Sequence, residues 1–376
     1  MNNNISIFNC ETGIEAFIAI EAPVNLTINE SIDELFKKYN DLQKQSDLNN
    51  ETEIFLRFHL SDVTNQSKTL KDYLFQQNKL SFISILEQMP VSGSKIALEA
   101  YHIKAIKPVV KEQLDENAIA VTHGPYKSIW VKSRAQSQGS SFRQTQQLFS
   151  HVSGILHNNS GRLENNTIRT WLYVRDIDNN YQGLVDARRE LFEIVGLNKG
   201  SHYIASTGIE GCGENVSDLV LLDSLSVLCL EPQQIIYMSA PDYLCPTYRY
   251  NVTFERATQI KYGDRSHYYI SGTASIDRDG NILHVGDVEK QANRTLININ
   301  ALLSNYGSCL KDLKILIVYL RDISDAALVN NFLKSNLPEN LPYIIVRGAV
   351  CRPLWLIEME GIAVSSQKNP FFKTFC

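Results

Sequence analysis

The feature that most constrains the fold of this 376-residue chain is an internal repeat. Residues 171–177 and 317–323 share the pattern Tyr-x-Arg-Asp-Ile, and their arginines lie 146 residues apart. A helical pattern precedes each segment, beginning at Gln144 or Gln291, which is 31 or 30 residues before the arginine. The alternative is a chance similarity between amphipathic segments. Because both order and spacing are kept, we interpret the two regions as copies of one unit.

A third, weaker copy lies near the N-terminus, where the helical pattern 32–39 precedes the strand-like segment 55–63. Each copy continues with a second helical pattern and a closing strand. The helical patterns are 69–74, 184–192 and 326–333, and the closing strands are 96–103, 219–228 and 355–362. This order predicts an α+β fold with helices on one face of each sheet. We expect three units, 1–118, 119–235 and 236–376, arranged as a pseudo-trimer.

Composition and the absence of familiar motifs exclude several classes of protein. A formal net charge of −5 argues against a nucleic-acid surface, and no apolar run approaches the length of a membrane span. Seven scattered cysteines without a Cys-x-x-Cys pair argue against a zinc site and, with no secretory signal, favour the reducing cytoplasm. Without a glycine-rich nucleotide loop or a metal-spaced histidine pair, we expect neither cofactor nor metal.

The last closing strand carries the candidate chemistry. Residues 357–360 alternate apolar and polar side chains, which predicts a half-buried strand with Glu358 and Glu360 on one face. A thiol, a tryptophan and two arginines lie nearby in sequence: Cys351, Trp355, Arg347 and Arg352. This combination predicts a general acid in an anion-binding pocket. The alternative is a structural glutamate paired with one of the two arginines.

The three copies differ at the position of Glu358. When their closing strands are aligned, Ala97 and Leu221 take the place of this glutamate in the first and second copies. Only the third copy keeps a carboxylate there. We therefore expect one active cleft, in the C-terminal unit, and two degenerate units.

Four blocks of the third copy resemble the RidA (YjgF) superfamily: 270–276, 286–291, 298–302 and 358–363. A longer series of motifs resembles the chorismatases, which cleave the enolpyruvyl ether of chorismate without a cofactor. These motifs are Ser-Ala-Pro (239–241), Val-Thr-Phe-Glu-Arg (252–256), Tyr-Gly-Asp-Arg (262–265), Gly-Thr-Ala-Ser (272–275), Val-Tyr-Leu-Arg-Asp (318–322) and Val-Cys-Arg-Pro (350–353). The narrower resemblance covers about residues 165–365 and implies three RidA/YjgF-like (chorismate-mutase-like) units.

The resemblance implies roles for particular residues. Glu358, with a pKa raised by apolar walls, would protonate the terminal methylene carbon of the enolpyruvyl group. Arginine suits the two carboxylates of chorismate, so Arg256 and Arg321 are the first candidates for binding them. The second candidates are Tyr248 and Arg249, and Thr273 is expected to line the cleft. The alternative for Arg321 is a structural ion pair, since Arg175 holds the same position in an inactive copy.

Two residues bear on the product. In the family, a cysteine at position 351 goes with formation of 3-hydroxybenzoate, whereas Ala257 at a small pocket position favours the hydrolytic type. We predict a cytoplasmic chorismatase of secondary metabolism that forms 3-hydroxybenzoate and pyruvate and is monomeric through its internal pseudo-trimer. The alternative product is 3,4-dihydroxycyclohexa-1,5-diene-carboxylate with pyruvate. A RidA-like imine hydrolase is a further alternative, but the arginine that binds the substrate carboxylate in those enzymes is missing here, because residues 343–345 are Tyr-Ile-Ile. The non-enzymatic alternative is a metabolite-binding module.

Overall fold

The protein is described by a computed structural model that covers residues 4–77, 79–136, 138–250 and 252–376, without the Tyr250 side chain. Its first unit contains β1 (Ile5–Cys10), β2 (Gly13–Glu21), α1 (Ile28–Gln45), β3 (Glu53–Leu60), α2 (Val63–Gln76), β4 (Phe82–Glu87) and β5 (Ile96–Ala105). The strands form one sheet in the order β1-β2-β5-β3-β4. Each of α1 and α2 begins at a residue whose side chain accepts a backbone hydrogen bond, Thr27 and Asp62 respectively.

The second unit repeats this arrangement. It contains β6 (Val110–Asp115), β7 (Ala118–His123), β8 (Tyr126–Ser133), α3 (Ser141–Asn158), α4 (Leu163–Asn166), β9 (Thr167–Val174), α5 (Ile177–Ile194), β10 (Ala205–Glu210) and β11 (Val220–Leu228). The sheet order is β10-β9-β11-β8-β7-β6. β6 precedes residue 118 but pairs with β7 in this second sheet. The sheets thus divide at residues 106–109, and we propose this boundary in place of residue 118.

The third unit contains β12 (Ile235–Met238), β13 (Ala257–Lys261), β14 (Ser266–Ala274), α6 (Val288–Ser304), β15 (Leu313–Leu320), α7 (Ala326–Asn336), β16 (Tyr343–Arg347) and β17 (Ile357–Ser365). Its sheet order is β12-β13-β14-β17-β15-β16. The predicted α+β class and the three units are confirmed. The sequence patterns missed β4, β10 and β16, each of which is a short strand that pairs in parallel with the strand before its crossover helix.

Strand pairing confirms the alignment of the three closing strands. Glu99 pairs with Arg57, Asp223 with Trp171 and Glu360 with Ile317. Each of these partners lies three residues before the end of its own strand, so the three acidic residues are equivalent in register. The alignment that places Ala97 and Leu221 at the position of Glu358 therefore holds in the structure.

The helices cover one face of each sheet, and the opposite faces meet in the centre of the molecule. Side chains of all three units share this central core, including Phe55, Trp130 and Ile317. The core also holds buried ion pairs, in which Arg57 lies 3.3 Å from Asp223 and Arg169 lies 2.5 Å from Glu360. The prediction of a half-buried closing strand was wrong: β17 is buried on both faces except at Ile362, because a neighbouring unit covers its second face.

Within the described residues, no helix combines the length and apolar character needed to cross a membrane.

Candidate active site

Glu358 lies near the start of β17, where it pairs with Tyr319 on one side and Ala274 on the other. The residue is only 5% exposed. On the neighbouring strand, the pairing register shifts between Ile270 and Thr273, and Gly272 lies within this irregularity. A Cβ atom on Gly272 would overlap Oε1 of Glu358. The absence of a side chain at Gly272 therefore provides the space that the Glu358 carboxyl group occupies.

The surroundings of Glu358 favour its protonated form. Burial, followed by the negative charge of Glu360, raises the pKa of Glu358 from its ordinary 4.5 to about 8. Arg169 and Arg256 oppose this shift but do not outweigh it. Desolvation disfavours a carboxylate, and a like charge nearby disfavours it further. At neutral pH the side chain can therefore donate a proton.

A cavity of about 300 Å³ lies above Glu358, between the second and third units. The second unit contributes the face of α5 and the strand β10. The third unit contributes β14, β17 and the loop before β17. The lining side chains used below are Tyr181, Arg188, Ser206, Arg256, Cys351, Arg352, Trp355 and Glu358. The volume suits one small organic molecule.

Three arginines line this cavity, and the most deeply buried of them, Arg188, has a donor without an acceptor among the described residues. Arg188 is 2% exposed; its Nε donates to Thr253 Oγ1 at 3.1 Å and its Nη1 to Ser206 Oγ at 3.3 Å. Its Nη2 has no hydrogen-bond acceptor among the described residues. A buried donor without a partner is costly, so a ligand carboxylate at this point would be strongly favoured.

The other two arginines stack on aromatic rings. Arg256 donates through Nη2 to the Cys245 carbonyl oxygen at 2.6 Å, and its guanidinium carbon lies 5.3 Å from the ring centre of Phe254. Arg352 lies 5.0 Å from the ring centre of Trp355. The alternative for Glu358 is an ion pair with Arg352 or Arg347. Arg352 stacks on Trp355, and Arg347 binds Glu210 at 2.8 Å.

Cys351 lies on the cavity wall, but its thiol is not ionised. Burial, and then the proximity of Glu358, raises the pKa of Cys351 to about 12. Tyr181 of the second unit is beside it, and burial raises the pKa of this phenol well above its ordinary value. Both groups are therefore neutral side chains of the cavity wall rather than nucleophiles.

The remaining predicted residues lie outside the cavity lining, and their binding roles stay predictions. Arg321 binds Asp178 of α5 and the Val350 carbonyl oxygen. Thr273 is fully buried and donates to the Ser271 carbonyl oxygen, and Ala257 is fully buried where β13 pairs with β12 and β14. Tyr248 and Arg249 lie on the 3-10 turn Thr247–Tyr250.

Arg175 supports a structural role for the repeated Arg-Asp pair. Its guanidinium group donates to the carbonyl oxygens of Gly213, Asn215 and Asp218. The repeated aspartate precedes a crossover helix in each unit, as Asp62 does for α2. The repeated pair thus has a local task that is independent of any ligand.

The sequence patterns did not identify Arg188 as a site residue, because they assigned no activity to the second unit. The sequence nevertheless contains a pattern that could have identified this residue. Leu184, Arg188 and Phe192 are spaced four residues apart and form the buried face of α5. An arginine within such an apolar stripe indicates a buried charge with a specific partner or ligand. No sequence pattern could show that Arg188 reaches Thr253 and the cavity shared with the third unit.

The described residues contain no group of three or more His, Cys, Asp or Glu side chains that could hold a metal ion.

The fold and the site together define a protein of three fused α+β units with an arginine-lined cleft, closed at its base by Glu358, between the second and third. Residues 258–365 match the family model described as Endoribonuclease L-PSP. The 3-aminoacrylate deaminase RutC of Acinetobacter baylyi is 35% identical over 97 residues, covering 25% of this chain and 76% of that protein. A RutC family protein of Pyrococcus abyssi is 32% identical over 96 residues, with the same coverage. Through its third unit, the chain belongs to the Endoribonuclease L-PSP family, which confirms the predicted RidA/YjgF-like relationship.

A solved structure matches nearly the whole chain. A crystal structure of a chorismatase superposes with a TM-score of 0.65 at 18% identity, covering 95% of this chain and 99% of that one. At this identity the likeness is one of fold. It shows that the three-unit arrangement resembles that of a chorismatase, as the sequence motifs predicted.

Proposed function

We propose that the protein is a chorismatase that cleaves the enolpyruvyl ether of chorismate and releases pyruvate. The observation that carries this proposal is the buried, protonated Glu358 at the base of a cavity lined by three arginines. The chorismatase motifs and the matching fold of a chorismatase support it.

The proposed first step is a proton transfer to carbon. Glu358 donates its proton to the terminal methylene carbon of the enolpyruvyl group, and the carbon attached to the ether oxygen becomes an oxocarbenium ion. The carboxylate left on Glu358 then faces Arg256 and Arg169, whose charges favour the ionised form. A positioned acid of this kind contributes roughly 10²- to 10⁴-fold to a rate.

Two carboxylates of the substrate need partners, and the cavity offers them on opposite walls. We propose that Nη2 of Arg188 binds one carboxylate, because this buried donor has no acceptor among the described residues. Arg256 and Arg352 face the second carboxylate from the wall of the third unit. With one substrate carboxylate bound to Arg188 and the other to Arg256 and Arg352, the substrate is held in one orientation, in which the enolpyruvyl group points toward Glu358.

We propose 3-hydroxybenzoate as the second product. Its formation with pyruvate consumes no water, since the atoms of chorismate equal those of the two products. The neutral thiol of Cys351 on the cavity wall supports this product, because it occupies space beside Glu358 without supplying a nucleophile. Formation of the dihydroxycyclohexadiene carboxylate consumes one water and is the alternative.

A second candidate is enamine deamination, favoured by the 35% identity to a 3-aminoacrylate deaminase. This reaction also begins with a proton on an electron-rich alkene carbon, so Glu358 would serve equally. The absence of an arginine at positions 343–345 counts against it, and the nearby Arg347 is paired with Glu210. A metabolite-binding module would bind chorismate without releasing pyruvate.

The test is incubation of the purified protein with chorismate, followed by pyruvate quantitation and chromatography of the ring product. We expect equimolar pyruvate and 3-hydroxybenzoate. Glu358→Gln should reduce turnover by roughly 10²-fold or more, whereas Glu289→Gln on the exposed face of α6 should not. Detection of pyruvate with a non-aromatic diene diol would show that the ring product is the dihydroxycyclohexadiene carboxylate and not 3-hydroxybenzoate. Release of ammonia from 3-aminoacrylate, without release of pyruvate from chorismate, would favour the second candidate.

A further inference from the structure

Glu360 is a buried carboxylate that the proposed reaction does not use. It is 3% exposed and lies on the same face of β17 as Glu358. Oε2 accepts a hydrogen bond from Arg169 Nη2 at 2.5 Å and another from the Thr207 hydroxyl. Oε1 accepts from Tyr319 at 2.9 Å and from Trp171 Nε1 at 3.0 Å. Four donors, one of them cationic, therefore surround the two carboxylate oxygens of Glu360.

The fixed charge of Glu360 is close to the acid. Residues two apart on one strand face are separated by roughly 7 Å, and both side chains are shielded from water. Low exposure keeps the interaction between two carboxyl groups strong over this distance. After burial, the charge of Glu360 is the next cause that raises the pKa of Glu358.

Thr207 connects this carboxylate to the backbone beside Glu358. Its hydroxyl oxygen accepts from Gly272 N at 2.8 Å and from Arg169 Nη2, while its proton goes to Glu360. Gly272 is the residue whose missing side chain makes room for the Glu358 carboxyl group. Thr207 lies on β10 of the second unit, so this contact also joins the two walls of the cavity.

We propose that Glu360 and Thr207 are positioning residues for Glu358: the charge of Glu360 keeps the neighbouring carboxyl group protonated, and Thr207 holds Gly272 where that group fits. Only the kinetic part of this proposal rests on the proposed function. The protonation of Glu358 can be measured without any substrate.

The other charged and titratable groups near Glu358 decide the sign of the effect. Three charged groups act on Glu358: Glu360 on β17, Arg169 on β9 and Arg256 directly before β13. The groups that share the cavity wall are Tyr181, Arg188, Cys351 and Arg352. The charged members other than Glu360 are all cations. Removing the charge of Glu360 would therefore leave Glu358 among arginines, which favour its ionisation.

The first experiment is an infrared titration of the Glu358 carboxyl group, with Glu358→Gln as the blank. We expect Glu360→Gln to lower the midpoint by roughly one to three pH units, the range that a neighbouring charge produces. An unchanged or raised midpoint overturns the role of Glu360. If this variant does not fold because Arg169 is left unpaired, the double variant Arg169→Met/Glu360→Gln should have a lower midpoint than Arg169→Met alone, and equal midpoints in these two variants overturn the role equally.

The second experiment compares Thr207→Val with Thr258→Val, two nearly isosteric changes at buried threonines. Thr258 Oγ1 has no hydrogen-bond partner among the described residues, so its replacement should leave kinetics unchanged. Thr207→Val should lower kcat for pyruvate release by roughly tenfold or more at unchanged KM, since misplacing a catalytic group costs rate. Equal kcat in both variants overturns the role of Thr207. Absence of pyruvate from the wild-type protein would refute the proposed function, while the titration would still decide the role of Glu360.

Discussion

Arg321 and Asp178 form a bidentate ion pair between the third and second units, with Nη1 3.1 Å from Oδ2 and Nη2 2.9 Å from Oδ1. Arg321 also donates to the Val350 carbonyl oxygen at 2.6 Å, directly before Cys351. The arginine therefore joins α5 to the loop that carries the cavity thiol. This arrangement supports the structural alternative for Arg321 and gives it an indirect route to the site.

Breaking this connection should have graded effects. Asp178 is half exposed, so Asp178→Ala should cost only about 0.2–1 kcal/mol of unfolding free energy. Arg321→Met also removes the bond to the loop and should lower kcat/KM for pyruvate release by more than Asp178→Ala does. Asp186→Ala, which removes another ion pair of α5, is the control. If both Arg321→Met and the control left kcat/KM unchanged, the loop would not depend on Arg321.

Gly272→Ala should inactivate the protein by displacing its acid. The added methyl group would overlap the Glu358 carboxyl group and crowd Thr207. We expect a fall in kcat of roughly 10²-fold or more, similar to loss of the acid itself. Gly154→Ala on α3 is the matched control, because its added methyl group meets no atom within 4 Å and should stabilise the helix by about 1 kcal/mol or less. Wild-type turnover by Gly272→Ala would show that Glu358 is not the proton donor.

Activity should depend on the protonated form of Glu358. With a pKa of about 8, kcat/KM should be level at neutral pH and decline as the pH rises through about 8. A pH series of initial pyruvate release rates measures this limb. The same limb should be absent from any residual activity of Glu358→Gln. A decline centred well below pH 7 would assign the limb to another group.

The same group makes stability depend on pH. Its pKa is raised from 4.5 to about 8 on folding, so the folded state binds the extra proton between these values. The contribution is full below about pH 4.5 and is lost as the pH rises through about 8. Glu358→Gln should therefore gain stability relative to wild type as the pH rises from about 4.5 to about 8, as measured by urea unfolding. Parallel stability curves for the two proteins would contradict a buried, protonated Glu358.

Arg188 should act in substrate binding. Arg188→Lys keeps the charge but removes the planar fork, so the side chain can no longer bind Thr253 and Ser206 and also present Nη2 to the ligand. We expect KM for chorismate to rise roughly 10- to 100-fold, because a charge-assisted hydrogen bond contributes about 1.5–3 kcal/mol. The adjacent Arg189→Lys, whose side chain pairs with Asp186, is the control. An unchanged KM in Arg188→Lys would move the carboxylate site to the opposite wall.

Cys351 should affect which product forms more than how fast it forms. Cys351→Ala removes the thiol beside Glu358 and leaves room for water, so the share of diene diol among the ring products should increase. Total pyruvate release should change little, since the proton donor is untouched. Cys229→Ala, at an exposed position, is the control. Unchanged product ratios would mean that the thiol only fills space.

Local patterns predicted the parts of this structure that local physics determines. Alternation in β17 placed Glu358 and Glu360 on one face, and register in the three sheets confirmed their alignment with the other closing strands. The burial of β17 could not be predicted in the same way, because the second unit covers the face that is not packed against the helices of the third unit. Arg188 and Thr207 escaped notice for the same reason: their importance arises from the packing of one unit against another.

The two walls of the cavity come from α5 and β10 on one side and β14 and β17 on the other, all in a single polypeptide. A pocket formed between separate subunits loses its activity when the subunits dissociate on dilution. Here the covalent chain holds both walls at a constant effective concentration, however scarce the protein is. Each wall can also mutate without forcing the same change on its counterpart, so an asymmetric substrate can be met by an asymmetric site.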